Sequence, residues 1–170
     1  TFANRKIVLV STPTTKGLSR IERSFLEGDQ RRFYVPCPHC GVRQVIEWAG
    51  VKWDRGQDGE HDPATAHYVC RLEAHDPETG ELGCDAIKRA AKLPDFGWIA
   101  ARPFKGHASF HASQLSSARV PLSQIVKKFL DAKGNPESLK KWTNLSLAET
   151  WEEGGDRIDP DSLLARREPY

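Results

Sequence analysis

Four cysteines constrain this 170-residue chain more than any other feature. Cys37 and Cys40 stand in a Cys-Pro-His-Cys-Gly turn, and Cys70 and Cys84 follow as a second, looser pair. No secretory signal is visible, so we expect reduced thiols that bind a metal rather than disulfides. Zinc suits four thiolates, and a Cys-x2-Cys turn places two sulfurs on one ion. Gly41, directly after the turn, lets the backbone leave it at positive φ.

The second cysteine pair leaves the ligand set open. The spacing between Cys70 and Cys84 is wider than the roughly two to four residues of a zinc knuckle. A loop inserted over residues 71–83 explains this spacing, because the entropy of loop closure grows slowly with length. His75 or His67 is an alternative to one of the thiols. The fourth ligand is therefore Cys84 or His75.

The cysteines have two other interpretations. They can act as small buried hydrophobic side chains. Cys-Pro-His-Cys is also the active-site tetrapeptide of DsbA-like oxidases, in which it opens a helix whose N-terminus lowers the pKa of the first thiol. Here residues 42–48 predict a strand after the turn, which favours a structural metal clamp.

The N-terminal part predicts the edge of an α/β sheet. Residues 6–10, Lys-Ile-Val-Leu-Val, predict a strand that is buried on both faces. A Ser-Thr-Pro-Thr-Thr turn follows over residues 11–15, at the place where open α/β sheets bind ligands. Serine and threonine also cap helices and form turns, so a purely structural turn is the alternative. Residues 18–27 predict a helix that Gly28 ends.

The rest of the chain predicts a hairpin module followed by helices. Strands are predicted over residues 31–35, 42–48, 51–53, 66–70, 96–100 and 108–112, and helices over 85–92, 121–132, 135–151 and 161–168. Asn135 is a helix cap followed by proline. Together the pattern predicts an α+β fold with three parts: a strand and helix at an α/β sheet edge, a zinc-ribbon-like β-hairpin module, and a C-terminal helical segment.

Composition limits the function classes. A net charge of +2 lacks the strongly basic signature of a dedicated nucleic-acid binder. The longest apolar run, residues 7–10, is too short to cross a bilayer, and we expect no membrane association and a cytoplasmic location. The chain contains no methionine, so we expect a fragment of a longer protein. No Gly-rich phosphate loop occurs, and His107 and His111 are interpreted as a packed or surface pair.

Four stretches together carry a family resemblance. They are Ser-Thr-Pro-Thr at residues 11–14, the helical Ile-Glu-Arg at 21–23, Phe-Tyr-Val-Pro-Cys-Pro-His-Cys-Gly at 33–41, and Trp-Thr-Asn-Leu-Ser-Leu-Ala-Glu-Thr-Trp-Glu at 142–152. With them the chain resembles the large terminase subunit of tailed phages, of the lambda-like GpA type, along essentially its whole length. The resemblance implies a phage or prophage protein: part of an ATP-driven motor and endonuclease that packages and cuts viral DNA.

The resemblance also implies roles for parts of the chain. Residues 1–30 would end a P-loop-type ATPase domain, residues 31–92 would be a zinc-ribbon-like insertion, and residues 93–170 would lead to the nuclease domain. The implied nucleotide-coupling residues are Ser11, Thr12 and Thr14. The implied ligands of a structural zinc ion are Cys37, Cys40, Cys70 and Cys84.

Cofactors and partners follow from the same resemblance. The parent protein would use ATP and Mg²⁺, act on double-stranded viral DNA as an oligomer, and assemble with the small terminase subunit and the portal in the host cytoplasm. The Walker motifs and the nuclease acids are not in this sequence, so we expect the fragment to be inactive alone.

A second hypothesis is a free-standing zinc-ribbon adaptor that binds nucleic acid or protein without catalysis. Its phosphate contacts would come from Arg31, Arg32, Arg43, Lys88, Arg89 and Lys92. The low net charge favours a solvated surface for these side chains instead.

Overall fold

The computed structural model describes residues 6–37, 41, 43–70 and 97–152. Within these ranges the helices are α1 (Arg20–Glu27), α2 (Leu122–Ala132) and α3 (Pro136–Trp142). The strands are β1 (Arg31–Pro36), β2 (Arg43–Gln44), β3 (Val51–Lys52), β4 (His67–Tyr68), β5 (Gly97–Ile99) and β6 (Phe110–His111). Short 3₁₀ turns lie at Trp48–Gly50, Pro63–Thr65 and Gln114–Ser116. The mixture of helices and strands confirms the predicted α+β class.

β1 is the centre of a small mixed sheet. One of its edges pairs antiparallel with β5, which places Phe33 opposite Trp98. Its other edge pairs parallel with β6 and then antiparallel with β2. The sheet therefore joins strands that are far apart in the sequence. The predicted strands that become β1, β5 and β6 are confirmed, although β5 and β6 are shorter than expected.

The second half of the predicted hairpin is shorter than the sequence suggests. The strand predicted over residues 42–48 is wrong beyond Gln44, because β6 occupies the remainder of that edge of β1. The chain then turns, and β3 pairs with β4 in a separate ladder instead of extending the hairpin. Gly50 permits this turn, since a Cβ atom there would lie 2.7 Å from the Tyr68 ring.

One hydrophobic core joins the strands to the C-terminal helices. Val35 of β1 and Ile125 and Val126 of α2, a helix that the sequence predicts, are fully buried in it. Four rings pack at one side of this core, with centroids 4.6 to 5.9 Å apart, and we call them the aromatic core: Trp48, Trp53, Phe129 and Trp142. The indole N–H of Trp142 donates to the Ile125 carbonyl at 3.3 Å, so this buried donor is satisfied.

α3 begins where the sequence predicts and ends earlier. The Asn135 side chain accepts hydrogen bonds from the N–H groups of Glu137 and Ser138 at 2.9 and 3.1 Å, as expected for a helix cap. A π-helical turn, Thr143–Leu147, follows the helix, and Ala148 then adopts a left-handed conformation with φ of 55°. This reversal ends the helical path before the predicted end of the helix.

The predicted N-terminal strand is not formed. Residues 6–10 have no strand partner among the described residues, and Val8 and Val10 are 80% and 91% exposed. A strand requires a neighbouring edge to hydrogen-bond with, and the described part of the chain offers none to this segment. α1 is confirmed, with Gly28 after its last residue, but it contains no buried residue. Of the strand and helix that the sequence predicts for the edge of an α/β sheet, only the helix is present among the described residues.

Several sequence predictions lie outside the described residues. They are the inserted loop at 71–83 and the helices at 85–92 and 161–168. Among the helices that are described, none has the length and apolar content that a membrane crossing requires.

Candidate functional site

The predicted nucleotide-coupling residues lie on an exposed turn. Ser11, Thr12 and Thr14 are exposed, while Pro13 between them is buried and fixes the turn to the molecule. Ser11 Oγ donates to the Thr12 carbonyl at 3.1 Å. The turn borders a cleft of about 400 Å³, which the exposed Arg20 also lines. A guanidinium that shares a cleft with hydroxyl groups suits a phosphate or another anion.

Backbone hydrogen bonds connect this turn to a segment far along the chain. The N–H of Trp151 donates to the Thr14 carbonyl, and the N–H of Lys16 donates to the Trp151 carbonyl, each at 2.9 Å. Thr15 and Trp151 consequently form an isolated parallel bridge. The Lys16 ammonium also pairs with the Glu152 carboxylate, and both side chains are exposed.

Glu22 of α1 also contacts both segments of this junction. One of its carboxylate oxygens accepts the N–H of Gly17 at 2.8 Å, and the other accepts the hydroxyl of Thr150 at 3.2 Å. We call residues 14–17 and 150–152, together with Glu22, the tie. The tie is built from polar contacts, so it fixes the position of the turn without burying α1.

Two of the four predicted zinc ligands lie in the described part of the chain. Cys37 and Cys70 are both buried in the hydrophobic core. Gly41 has φ of 71° and donates its N–H to the Cys37 carbonyl at 2.8 Å, in agreement with the tight turn that the sequence predicts. Gln44 Nε2 donates to Cys70 Sγ at 3.1 Å. This sulfur is a side-chain atom of the type that zinc uses as a ligand.

The other predicted ligands cannot be placed beside this pair. Cys40, Cys84 and the alternative ligand His75 lie outside the described residues. His67 is described, and its Nδ1 lies 3.0 Å from the Thr65 carbonyl. Within the described ranges, no group of three or more His, Cys, Asp or Glu side chains could hold a metal ion.

His107 and His111 occupy different environments. His107 is exposed, whereas His111 is partly buried, with Nε2 3.1 Å from the Ala148 carbonyl and its ring edge-on to Phe25. Burial lowers the pKa of His111, and the nearby charge of Arg32 lowers it further, although contacts with backbone carbonyls oppose both effects. The interpretation as a packed or surface pair thus holds in a divided form, since His111 is a packed residue and His107 is a surface one.

A buried carboxylate was missed by sequence reasoning. The Asp29 side chain is fully buried; Oδ1 accepts the N–H of Ser109 at 3.0 Å, and Oδ2 accepts Nε and Nη2 of Arg31 at 2.8 Å each. Burial opposes ionisation of this carboxyl, but the Ser109 hydrogen bond and the Arg31 guanidinium outweigh it and lower the pKa of Asp29. The one local signal is an acid directly after the helix-ending Gly28, and nothing local points to Ser109.

Three of the six basic residues of the adaptor hypothesis are described, and their settings differ. Arg31 is bound to Asp29, Arg32 is half-buried in β1, and Arg43 is exposed on the short strand β2. The other three, Lys88, Arg89 and Lys92, lie outside the described residues.

Comparison with known proteins gives this arrangement a context. The family model for the ATPase domain of the phage terminase large subunit gpA matches residues 1–90, and the model for the gpA endonuclease domain matches residues 107–170. Both matches describe a viral DNA-packaging enzyme, and the first covers more than half of the chain. The chain belongs to the phage terminase large subunit gpA family.

Two curated relatives have the same family name. The chain is 31% identical over 173 residues to the terminase large subunit of Enterobacteria phage P21, covering 94% of this chain and 27% of the relative. It is 28% identical over 183 residues to that of Escherichia phage lambda, covering 97% of this chain and 28% of the relative. The chain thus spans little more than a quarter of either relative. No solved structure matches it.

Proposed function

We propose that this chain is part of an ATP-driven motor and endonuclease that packages and cuts viral DNA. Its role there is to supply a nucleotide-coupling turn and a structural zinc module. The observation that carries the proposal is the tie. It joins the hydroxyl turn, within the ATPase match, to residues 150–152, within the endonuclease match. A movement of the turn would therefore displace residues 150–152, which belong to the endonuclease match.

The proposed division of labour follows the chain. Residues 1–30 end the ATPase domain, residues 31–92 form the zinc-ribbon-like insertion, and residues 93–170 lead toward the nuclease. β5 and β6 come from the third part and pair with β1 of the second. This shared sheet supports a firm connection between the insertion and the segment that leads to the nuclease.

The coupling role is proposed for Ser11, Thr12 and Thr14. Their exposure in a cleft that Arg20 also lines supports contact with a nucleotide phosphate. ATP hydrolysis would supply the energy, and Walker residues that this sequence lacks would hold the nucleotide and its Mg²⁺. The chain alone is therefore expected neither to hydrolyse ATP nor to cut DNA. Double-stranded viral DNA, the small subunit, the portal and further copies in the host cytoplasm are the proposed partners.

The zinc role is proposed for Cys37, Cys40, Cys70 and Cys84. The described half of this set fits zinc by its chemistry, because two buried sulfurs lie in the same core and one of them accepts an amide N–H. Zinc would act as a structural cross-link between the hairpin turn and the segment after β4. Binding to the folded state alone would stabilise the fold.

Metal analysis of the purified chain tests the zinc role. Wild type and His75→Ala should retain zinc, while Cys84→Ser should lose it, and a chelator should lower the melting temperature of the wild type. Retention of zinc by Cys84→Ser together with its loss from His75→Ala would assign the fourth ligand to His75. A zinc-free wild type with unchanged melting would overturn the zinc proposal.

The coding sequence upstream tests the motor role. We expect a Walker A motif, Gly-x-x-x-x-Gly-Lys-Ser or Thr, in the same reading frame. A Walker A motif would link the hydroxyl turn to an ATPase core. An unrelated domain or a stop codon there would contradict the proposal and favour a free-standing adaptor.

A further inference from the structure

Aromatic side chains lie side by side on one face of the central sheet. Phe33 and Trp98 are direct cross-strand partners, with ring centroids 5.3 Å apart. Trp98 meets Phe110 edge-on at 5.2 Å. Arg31 is the cross-strand partner of Phe110, and its guanidinium lies 5.3 Å from the centre of that ring. We call these four residues the aromatic patch.

The aromatic patch is accessible to solvent, unlike the aromatic core. Trp98 is 40% exposed and Phe110 is 52% exposed, whereas Trp142 in the aromatic core is 6% exposed. Adjacent rings left open to water are a common mark of a binding surface. Phe104, in the loop after β5, is 60% exposed as well.

The loop that leads from Trp98 of the aromatic patch toward β6 is basic. Residues 100–108 include Arg102, Lys105 and His107 and contain no Asp or Glu. Each of these residues is exposed. Arg102 Nη1 donates to the Leu26 carbonyl at 3.1 Å, so one of its donors is anchored at the surface. We call residues 100–108 the basic loop.

The guanidinium of the aromatic patch is held in place before any ligand arrives. Asp29 is buried, and one of its oxygens accepts both Nε and Nη2 of Arg31 at 2.8 Å. This fork fixes the plane of the guanidinium next to the Phe110 ring. Preorganised stacking groups lose little side-chain entropy when a ligand binds.

We propose that the aromatic patch and the basic loop form a binding surface for single-stranded nucleic acid. Bases stack on Trp98 and Phe110, and phosphates contact Arg102 and Lys105. Exposed rings interleaved with cations match a polyanion that carries flat, unstacked bases. A duplex keeps its base faces covered, so it can use only the basic part of the surface. This inference goes beyond the proposed motor role and does not depend on it.

Fluorescence anisotropy on the 170-residue chain tests the surface, with a labelled oligothymidylate of about twenty nucleotides as the probe. Trp98→Ala and Phe110→Ala should each weaken binding roughly fivefold to a hundredfold, as expected for the loss of one stacked base. Trp98→Phe should retain most of the wild-type affinity, because it keeps an aromatic face on which a base can stack. Leu145→Ala removes a side chain that is 59% exposed outside the patch, and it should leave binding unchanged.

A second measurement separates stacking from charge. Lys105→Gln should reduce the slope of log affinity against log salt by about 0.7, whereas Trp98→Phe should leave the slope unchanged. Unlabelled duplex of the same length should compete less well than the single strand at moderate salt. Circular dichroism and melting of each variant confirm that the fold is intact.

Several results would overturn the proposal. They are the absence of single-strand binding by the wild type, equal competition by duplex, or unchanged affinity in folded Trp98→Ala and Phe110→Ala. Sedimentation adds another: if the wild type self-associates and these variants are monomeric, the patch is an interface between copies instead. None of these results bears on zinc content or on the upstream Walker motif, so the two proposals fail separately.

Discussion

The aromatic core and the tie connect distant segments of the chain by opposite means. In the aromatic core, four large rings pack on one another: Trp142 is buried, and Trp48, Trp53 and Phe129 are partly buried. In the tie, α1 contributes no buried residue, and Glu22 and backbone groups make polar contacts instead. Both junctions link the ATPase match to the endonuclease match.

The two junctions differ in the free energy that is needed to disrupt them. Removal of a buried ring leaves a cavity and lowers the free energy of unfolding of the whole domain. A solvent-accessible hydrogen bond contributes only about 0.5–1.5 kcal/mol, and water can replace it readily. The aromatic core is thus suited to hold the fold together permanently. The tie is suited to open and close while the rest of the molecule remains folded.

Truncation within the aromatic core should have the largest effect. We expect Trp142→Ala to lower the free energy of unfolding by about 3–5 kcal/mol, since it removes a buried ring and leaves a cavity. Urea denaturation followed by circular dichroism measures the change. Leu145→Ala, which truncates an exposed side chain close by in the sequence, is the matched control and should cost little. A loss below about 1 kcal/mol for Trp142→Ala would remove the contrast with the tie.

A substitution within the tie should have a local effect on stability. Glu22→Gln is expected to cost about 1 kcal/mol or less in global unfolding, because it weakens one exposed and one partly buried hydrogen bond without removing the accepting side chain. Hydrogen exchange should nevertheless accelerate at the Gly17, Lys16 and Trp151 amides, while β1 stays protected. Glu27→Gln, on the same helix, is the control and should leave these amides unchanged. Equal acceleration throughout the chain would mean that the tie is part of the cooperative core.

Acid should lower the free energy of unfolding through His111, which contacts the Ala148 carbonyl two residues before the tie. Burial keeps the pKa of this imidazole below its ordinary value, so the folded state favours the neutral ring. Its contribution to stability is complete above about pH 6.5 and is lost as the pH falls through the lowered pKa, because the unfolded chain takes up the proton first. His111→Asn should flatten the pH dependence of unfolding in this range. An unaltered profile in His111→Asn would exclude this source.

Local patterns in the sequence account for much of the fold. The apolar spacing of α2, the Asn135 cap and the glycine after α1 each depend on neighbours a few residues away, so they can be predicted. The Cys37 turn with Gly41 at positive φ belongs to the same class. The zinc set remains a prediction, because Cys40 and Cys84 lie outside the described residues.

Long-range contacts account for what sequence reasoning missed. Residues 6–10 have the composition of a buried strand, but composition does not supply the neighbouring edge that a strand requires. The buried Asp29 accepts a hydrogen bond from Ser109, and the tie depends on hydrogen bonds with Trp151. Both partners are far away in the sequence, so no local pattern predicts these contacts. The end of the helical path after Leu147 coincides with left-handed Ala148, a residue whose own helix preference is high.

Ala148 gives the smallest predicted effect and separates the core from the tie. Its φ of 55° is unfavourable for a residue with a Cβ atom, and it lies between the buried Leu147 and the tie. Ala148→Gly should raise the free energy of unfolding by about 0.5–1 kcal/mol, with part of the relief lost to the greater freedom of glycine in the unfolded chain. Urea denaturation measures this gain, and hydrogen exchange at Trp151 should stay at the wild-type rate. Faster exchange there would show that the left-handed turn also orients the tie, so that the two junctions are coupled through one residue.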